Sequence, residues 1–280
     1  MGTSTGYSMP KGGNWTPLKN DANQFVQDPN SGAVTPNQLI QDYLVALGGA
    51  AGLTGTGVPS IASTPTPGRS RAAGATGAGG GGESGGGTTG GRSGRPRARS
   101  GLRVGANIGG FLSRVGTVGL TEALREVGLG HLAGRSAAEI TSGLLDELAG
   151  PASTLDDQAA RSALSDLNDE LLRNAQTAAQ VEQVLKGALD MRGLGGLLLQ
   201  YFGHYIYRRF CRDFYERWVK TAGSGQTTSA LHKIKSYITE ALRTRTVGID
   251  LTNVNWRGRE GAGIIQSILT ETCRVFEVST

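Results

Sequence analysis

Residues 194–220 read LGGLLLQYFGHYIYRRFCRDFYERWVK, and this stretch decides the fold. Leu194, Leu197, Leu198, Tyr201, Phe202, Tyr205, Ile206, Phe210, Phe214 and Trp218 recur at three- and four-residue intervals, one apolar helical face kept throughout. The densest group of aromatics in the chain lies here, which makes this the central helix of a packed domain. Its most apolar part, 194–206, is interrupted by Gln200 and His204 and is too short to span a bilayer.

The helical period continues on both sides. Gly223-Ser224-Gly225 breaks it, and 228–244 resumes it through Leu231, Ile234, Tyr237, Ile238 and Leu242, with a last helix at 264–274. Upstream, 177–191 and 154–174 carry leucines and valines in register. Ser136-Ala-Ala-Glu139 forms a capping box ahead of Ile140, Leu144, Leu145 and Leu148, and Gly150-Pro151 closes that helix. Residues 104–115 and 120–127 read as short helices with glycine stops. A short strand at 246–251 is the one period-two alternative. The fold class expected is all-α: a helical domain over 102–280, preceded by a long disordered Gly/Arg-rich linker and a flexible N-terminal arm.

The preceding text is a different polymer. The chain has 280 residues with 45 glycines and 6% aromatics, and residues 48–101 are almost entirely Gly, Ala, Ser, Thr, Pro and Arg. Such a stretch has too little apolar surface to offset the entropy of ordering, so 48–101 reads as a disordered Gly/Ser/Arg-rich linker. As flexible coil it would span roughly 35–40 Å, letting whatever precedes it act away from the domain. Between 59 and 103 stand Arg69, Arg71, Arg92, Arg95, Arg97, Arg99 and Arg103 against Glu83 alone, a balance of +6 compared with +5 for the whole chain. A mobile basic segment of this kind is either a solvated linker or a salt-sensitive, sequence-blind contact for nucleic acid.

Thr35-Pro36 opens a short amphipathic helix over 35–47, with a hydroxyl N-cap, proline at the first position and a stripe of Leu39, Ile40, Tyr43, Leu44 and Leu47. Alone it is marginal, so it must pack on the domain or on another protein. Residues 1–34 read as a flexible arm in which Tyr7, Trp15 and Phe25 are isolated aromatics, suited to docking in a partner's groove or merely incidental. Met1 precedes the small Gly2, a context in which the initiator is removed and a glycine amine is exposed. The myristoylation pattern fails because Gly6 stands where Ser or Thr is required. Thr3, Ser4 and Thr5 are small enough to thread a narrow cleft.

Catalytic constellations are not found. The sequence has no GxSxG elbow, HExxH pair or GxxxxGK[ST] loop, and Gly258–Gly263 reads more simply as a helix-entry loop than as a phosphate cradle. His204, Cys211, His232 and Cys273 lack the spacing of a zinc site, and two cysteines make no disulfide framework. Asp156, Asp157, Asp166, Asp169 and Glu170 read as a helix start and solvated face, and Arg208, Arg209, Arg212 and Arg217 as a solvated basic face. No cofactor and no metal are expected. Without a secretory signal or a membrane span, the chain reads as soluble, cytoplasmic and dependent on partners.

The Met-Gly-Thr-Ser start, the Gly/Arg linker and the block Gly134-Arg-Ser-Ala-Ala-Glu-Ile140, continuing through Leu144, Asp146, Gly150-Pro151 and Asp156-Asp157, resemble the QatB family of the Qat anti-phage defence system. The resemblance implies a bacterial protein encoded beside an ATPase, a QueC-like enzyme (QatC) and a TatD-like nuclease. It further implies a non-catalytic component presenting Gly2 to the QueC-like partner for attachment of a 7-deazaguanine-type group, with Thr3, Ser4, Thr5, Gly6, Tyr7 and Trp15 in contact with that partner. The alternative is a nucleic-acid-binding adaptor acting through the linker arginines.

Overall fold

The computed structural model describes residues 10, 12–55, 98–243, 245 and 254–277. They form helices α1 (Trp15–Gln27), α2 (Pro36–Leu47), α3 (Gly49–Thr54), α4 (Arg99–Val118), α5 (Leu120–Glu126), α6 (Ala137–Ala149), α7 (Leu155–Leu172), α8 (Ala178–Arg243) and α9 (Arg259–Glu277). The described residues contain no strand, only an isolated antiparallel bridge between Ser136 and Thr177. The all-α class expected from the sequence is therefore the class observed. The 246–251 alternative lies outside the described residues.

Side-chain chemistry at the ends sets the helix boundaries. Thr35 Oγ1 accepts from the Gln38 N–H, and Pro36 occupies the first turn, where its missing donor costs nothing. Ser136 with Glu139 and Thr154 with Asp157 form two complete capping boxes. α8 is continuous in trace but has two non-helical points, Gly193 (φ 67°) and Gly223 (φ 81°), conformations that favour glycine. They divide it into limbs a (178–192), b (194–222) and c (224–243).

Limb b is the axis of the domain, with α1, α2, α4, α6, α7 and α9 packed against α8. Phe202, Phe210, Phe214 and Trp218 are fully buried. α4 meets it along a smooth stripe: an added Cβ at Gly101 would stand 2.6 Å from the Tyr205 ring and one at Gly105 3.0 Å from Phe202. At Gly109 it would stand 2.5 Å from the Trp256 ring. These glycines are seats for rings, not stops, so 99–118 is one helix where the sequence reads as a shorter one.

The N-terminal segment is the main departure from the sequence reading. Within the stretch expected as an arm, α1 is helical and buries Trp15, Leu18, Ala22, Phe25 and Val26. Trp15 meets the edge of Tyr43 (centroids 6.1 Å), and Phe25 packs on Trp218 (6.2 Å). The isolated aromatics thus fill the chain's own core, because they recur at helical spacing on a helix facing limb b. Polar stitches reinforce this: Arg217 Nε donates to Asn23 Oδ1 (2.9 Å), Gln226 Nε2 to the Gln27 carbonyl (3.0 Å) and Tyr237 OH to Asn37 Oδ1 (2.6 Å).

The expected linker is also shorter at both ends, since α3 begins at Gly49 and α4 at Arg99; residues 56–97 lie outside the described residues. The Ala98 N–H donates to the Leu53 carbonyl at 2.8 Å. The flanks on either side of 56–97 therefore meet, and both belong to a single core running from α1 to α9.

Candidate functional site

The sequence-derived site residues Gly2, Thr3, Ser4, Thr5, Gly6 and Tyr7 lie outside the described residues. Trp15 lies inside them and is 6% exposed, packed in the chain's own core. The described chain re-enters at Pro10, whose carbonyl accepts from Lys19 Nζ at 3.0 Å.

The polar groups that the structure does bring together lie along limb b. Tyr43 of α2 donates to Asp213 Oδ2 (2.7 Å), and Arg212 Nε donates to Asp213 Oδ1 (2.7 Å). About two turns earlier, Tyr205 OH donates to Asp156 Oδ1 (2.5 Å) and accepts from Arg209 Nη1 (3.2 Å). Asp156 Oδ2 accepts from the Ser100 N–H at the start of α4 (2.9 Å). Three separate stretches of chain are thereby joined to one helix by charge-assisted bonds. Arg209 is 1% exposed, so the basic face read as solvated is partly interior. Its Nη1 bond to Tyr205 and the Asp156 carboxylate at 3.7 Å offset part of its desolvation, while its Nε has no hydrogen-bond partner among the described residues.

The expected acidic face is also paired. Asp166 accepts a bidentate pair from Arg208 (2.5 and 2.6 Å) and a bond from Lys235 (3.2 Å). Burial raises the Asp166 carboxyl, but the Arg208 hydrogen bond and the charges of Arg208 and Lys235 outweigh it and hold the group below the usual range. Glu170 is also lowered, first by its hydrogen bond from His204 (3.3 Å).

These arrangements are poor machinery for nucleophilic or metal chemistry. Burial pushes the Cys211 thiol up to about 11 and that of Cys273 to about 12, so both are protonated, inert thiols at neutral pH. Tyr43 and Tyr201 are raised well above their ordinary value, chiefly by burial. Among the described residues no group of three or more His, Cys, Asp or Glu side chains could hold a metal ion. No described helix is long and apolar enough to cross a membrane. The glycine-rich turn at 258–263 is a helix entry: the Gly258 and Gly261 N–H groups both donate to the Asn255 carbonyl, and Glu260 accepts from the Asn255 N–H.

Fold and interior together define an all-helical domain whose polar chemistry binds its own segments to one central helix. The chain belongs to the QatB family: a model of the Qat anti-phage system associated protein QatB matches residues 89–276, more than half of its length. It is thus a component of that anti-phage system, in a family not named as an enzyme. No curated protein and no solved structure matches the chain.

Proposed function

We propose that this chain is the non-catalytic component of its defence system that docks through the helical domain on the QueC-like partner, QatC. There it presents the amine of Gly2 for modification with a 7-deazaguanine-type group. The observation that carries the reading is the placement of Pro10 and α1. The core fixes the chain from Trp15 onward, and the small residues Gly2 to Gly6 stand just ahead of that anchor. From Pro10 back to Gly2 is eight residues, a reach of at most about 28 Å. On this reading Pro10 therefore lies within that distance of the partner's active site. The chain supplies the amine, and its buried thiols and paired carboxylates leave the activation chemistry to the partner. Membership of the system also makes the defence ATPase and the TatD-like nuclease candidate partners.

The test is intact mass of the protein from cells with and without the QueC-like neighbour. A mass increase on the N-terminal peptide that requires the neighbour is the expected result. Gly2→Glu, which retains Met1, should lose the increase and the defence while remaining helical and bound to the partner. Defence that survives deletion of residues 2–6 refutes the reading.

A second reading, a nucleic-acid adaptor, rests on the linker arginines, and the observation beside it is that the Ala98–Leu53 hydrogen bond brings the two flanks of that segment together. Binding to a DNA or RNA duplex that falls steeply with salt, and is lost when Arg92, Arg95, Arg97 and Arg99 become serine, would support it. Arg103 is not part of that set, since its guanidinium is committed to the Ala149 carbonyl (2.8 Å) and Asp157 (3.4 Å).

A further inference from the structure

A cavity of about 140 Å³ opens where the Gly193 bend brings the end of limb a, the start of limb b and the end of limb c beside α7. Its apolar wall is Ile238, Leu242 and the bare Gly203 backbone; a Cβ on Gly203 would stand 2.4 Å from Leu242 Cδ1, so glycine is what lets the limbs approach. An apolar cavity of about 150 Å³ accommodates one benzene-sized ring, which sets the size of an occupant here.

The remaining lining is strongly one-signed. Arg192, Arg243 and Arg245 face the opening against one carboxylate, Glu170. That carboxylate is already engaged, by His204 at 3.3 Å and Arg192 at 3.8 Å. His204, 4% exposed, holds it from the floor. Arg243 is paired with Glu240, but both side chains are about two-thirds exposed (67% and 66%), so the pair is weak and exchangeable. Arg245 has no acidic partner among the described residues. Arg192 also donates to Gln200 Oε1 (2.5 Å), which fixes its guanidinium at the rim. A lining with surplus guanidinium donors around a one-ring apolar slot selects an anion joined to a small apolar body.

We infer that this cavity is a binding site for a small organic anion, a carboxylate or phosphate monoester carried on a single ring. The ring lies against Ile238, Leu242 and Gly203, and the anionic group meets Arg192, Arg243 and Arg245. Met191, 84% exposed and part of the lining, stands over the entrance. Occupancy would bridge limbs a, b and c and so stiffen the Gly193 bend.

Met191 also supplies the readout. The sequence has methionines at 1, 9 and 191, and removal of Met1 leaves Met9 and Met191, so a methyl-labelled sample gives few signals, the one from Met191 identified by Met191→Leu. Phenyl phosphate, benzoate, inorganic phosphate and neutral benzamide are titrated into the full chain to about 10 mM, enough to nearly saturate a millimolar site. The expected result is a saturable shift of the Met191 methyl with phenyl phosphate or benzoate, whichever binds tighter identifying the preferred anion. Inorganic phosphate and benzamide should each bind less well, because each supplies only half of the match. Arg192→Gln and Arg245→Gln, both at the exposed rim and expected to fold normally, should weaken binding about tenfold. Absence of a saturable shift with either organic anion, equal binding of benzamide, or full affinity in both arginine variants overturns the inference.

Discussion

Replacing residues 56–97 by six Gly/Ser residues tests the architecture directly. If the segment were a tether to an independent arm, shortening it would cripple the arm's reach and leave domain stability unchanged. The structure instead joins its two flanks by the Ala98–Leu53 hydrogen bond and places both in one core. For a flexible connection of 42 residues the closure entropy is about (3/2)RT ln n, so cutting n to six should recover about 1.7 kcal/mol. With a urea m-value of about 2 kcal/mol/M, the midpoint should rise by about 0.8 M. A companion experiment uses the wild-type chain: trypsin cutting after Arg69, Arg71 or Arg92 divides it covalently but not physically. The N-terminal fragment buries Trp15, Leu18, Phe25, Leu39, Ile40, Tyr43 and Leu44, each contributing about 1.5–3 kcal/mol, and should co-elute with the rest in native buffer. A midpoint lowered by the short loop, or a nicked fragment that elutes alone, refutes the argument.

Phe210→Ala removes a ring stacked on Phe214 (4.5 Å) and edge-on to Tyr43 (5.2 Å), and should cost about 3–5 kcal/mol by urea denaturation. Tyr43→Phe strips one donor from Asp213, which is 5% exposed, and should cost about 1–3 kcal/mol with the helical circular dichroism intact. Stability should also fall at alkaline pH. The folded-state values of Cys211 (about 11) and Cys273 (about 12) lie above the ordinary thiol value of 9.0, so the unfolded chain ionises first. The thermal midpoint should hold up to about pH 9 and decline through pH 11–12, and Cys273→Ala should blunt the decline.

Much of the fold is legible in local chemistry. The Thr35-Pro36 start, the Ser136–Glu139 box and the ten-residue apolar face of limb b each rest on contacts within a few residues, so spacing alone exposes them. α1 escaped the same treatment because its stripe is sparse: Trp15, Leu18, Ala22, Phe25 and Val26 keep the helical interval, yet Asn14 makes no side-chain cap and polar residues fill the gaps. The interval itself was the available signal. Arg209 and Asp156 could not be read from the chain, since a buried pair between α7 and limb b depends on two helices meeting 53 positions apart. The α4 glycines misled for a related reason. Glycine inside a helix is unfavourable by about 1 kcal/mol, and only the rings of Tyr205, Phe202 and Trp256 reveal what offsets it. The cavity at the Gly193 bend likewise exists only where three limbs converge. Of the proposed site residues, Gly2 to Tyr7 are proposals from sequence, while Trp15 is accounted for by the core.

The glycine stripe of α4 carries an evolutionary corollary. Positions 101 and 205, 105 and 202, and 109 and 256 divide a fixed volume between them, because a carbon added to the glycine would lie only 2.5 to 3.0 Å from the ring of its partner. Neither member of a pair can drift alone: a methyl gained on the helix must be matched by a ring reduced to an aliphatic chain. Related sequences should therefore record exchanges of bulk across these three pairs, glycine with aromatic in some lineages and alanine with leucine or methionine in others, while the sum of the two volumes stays constant.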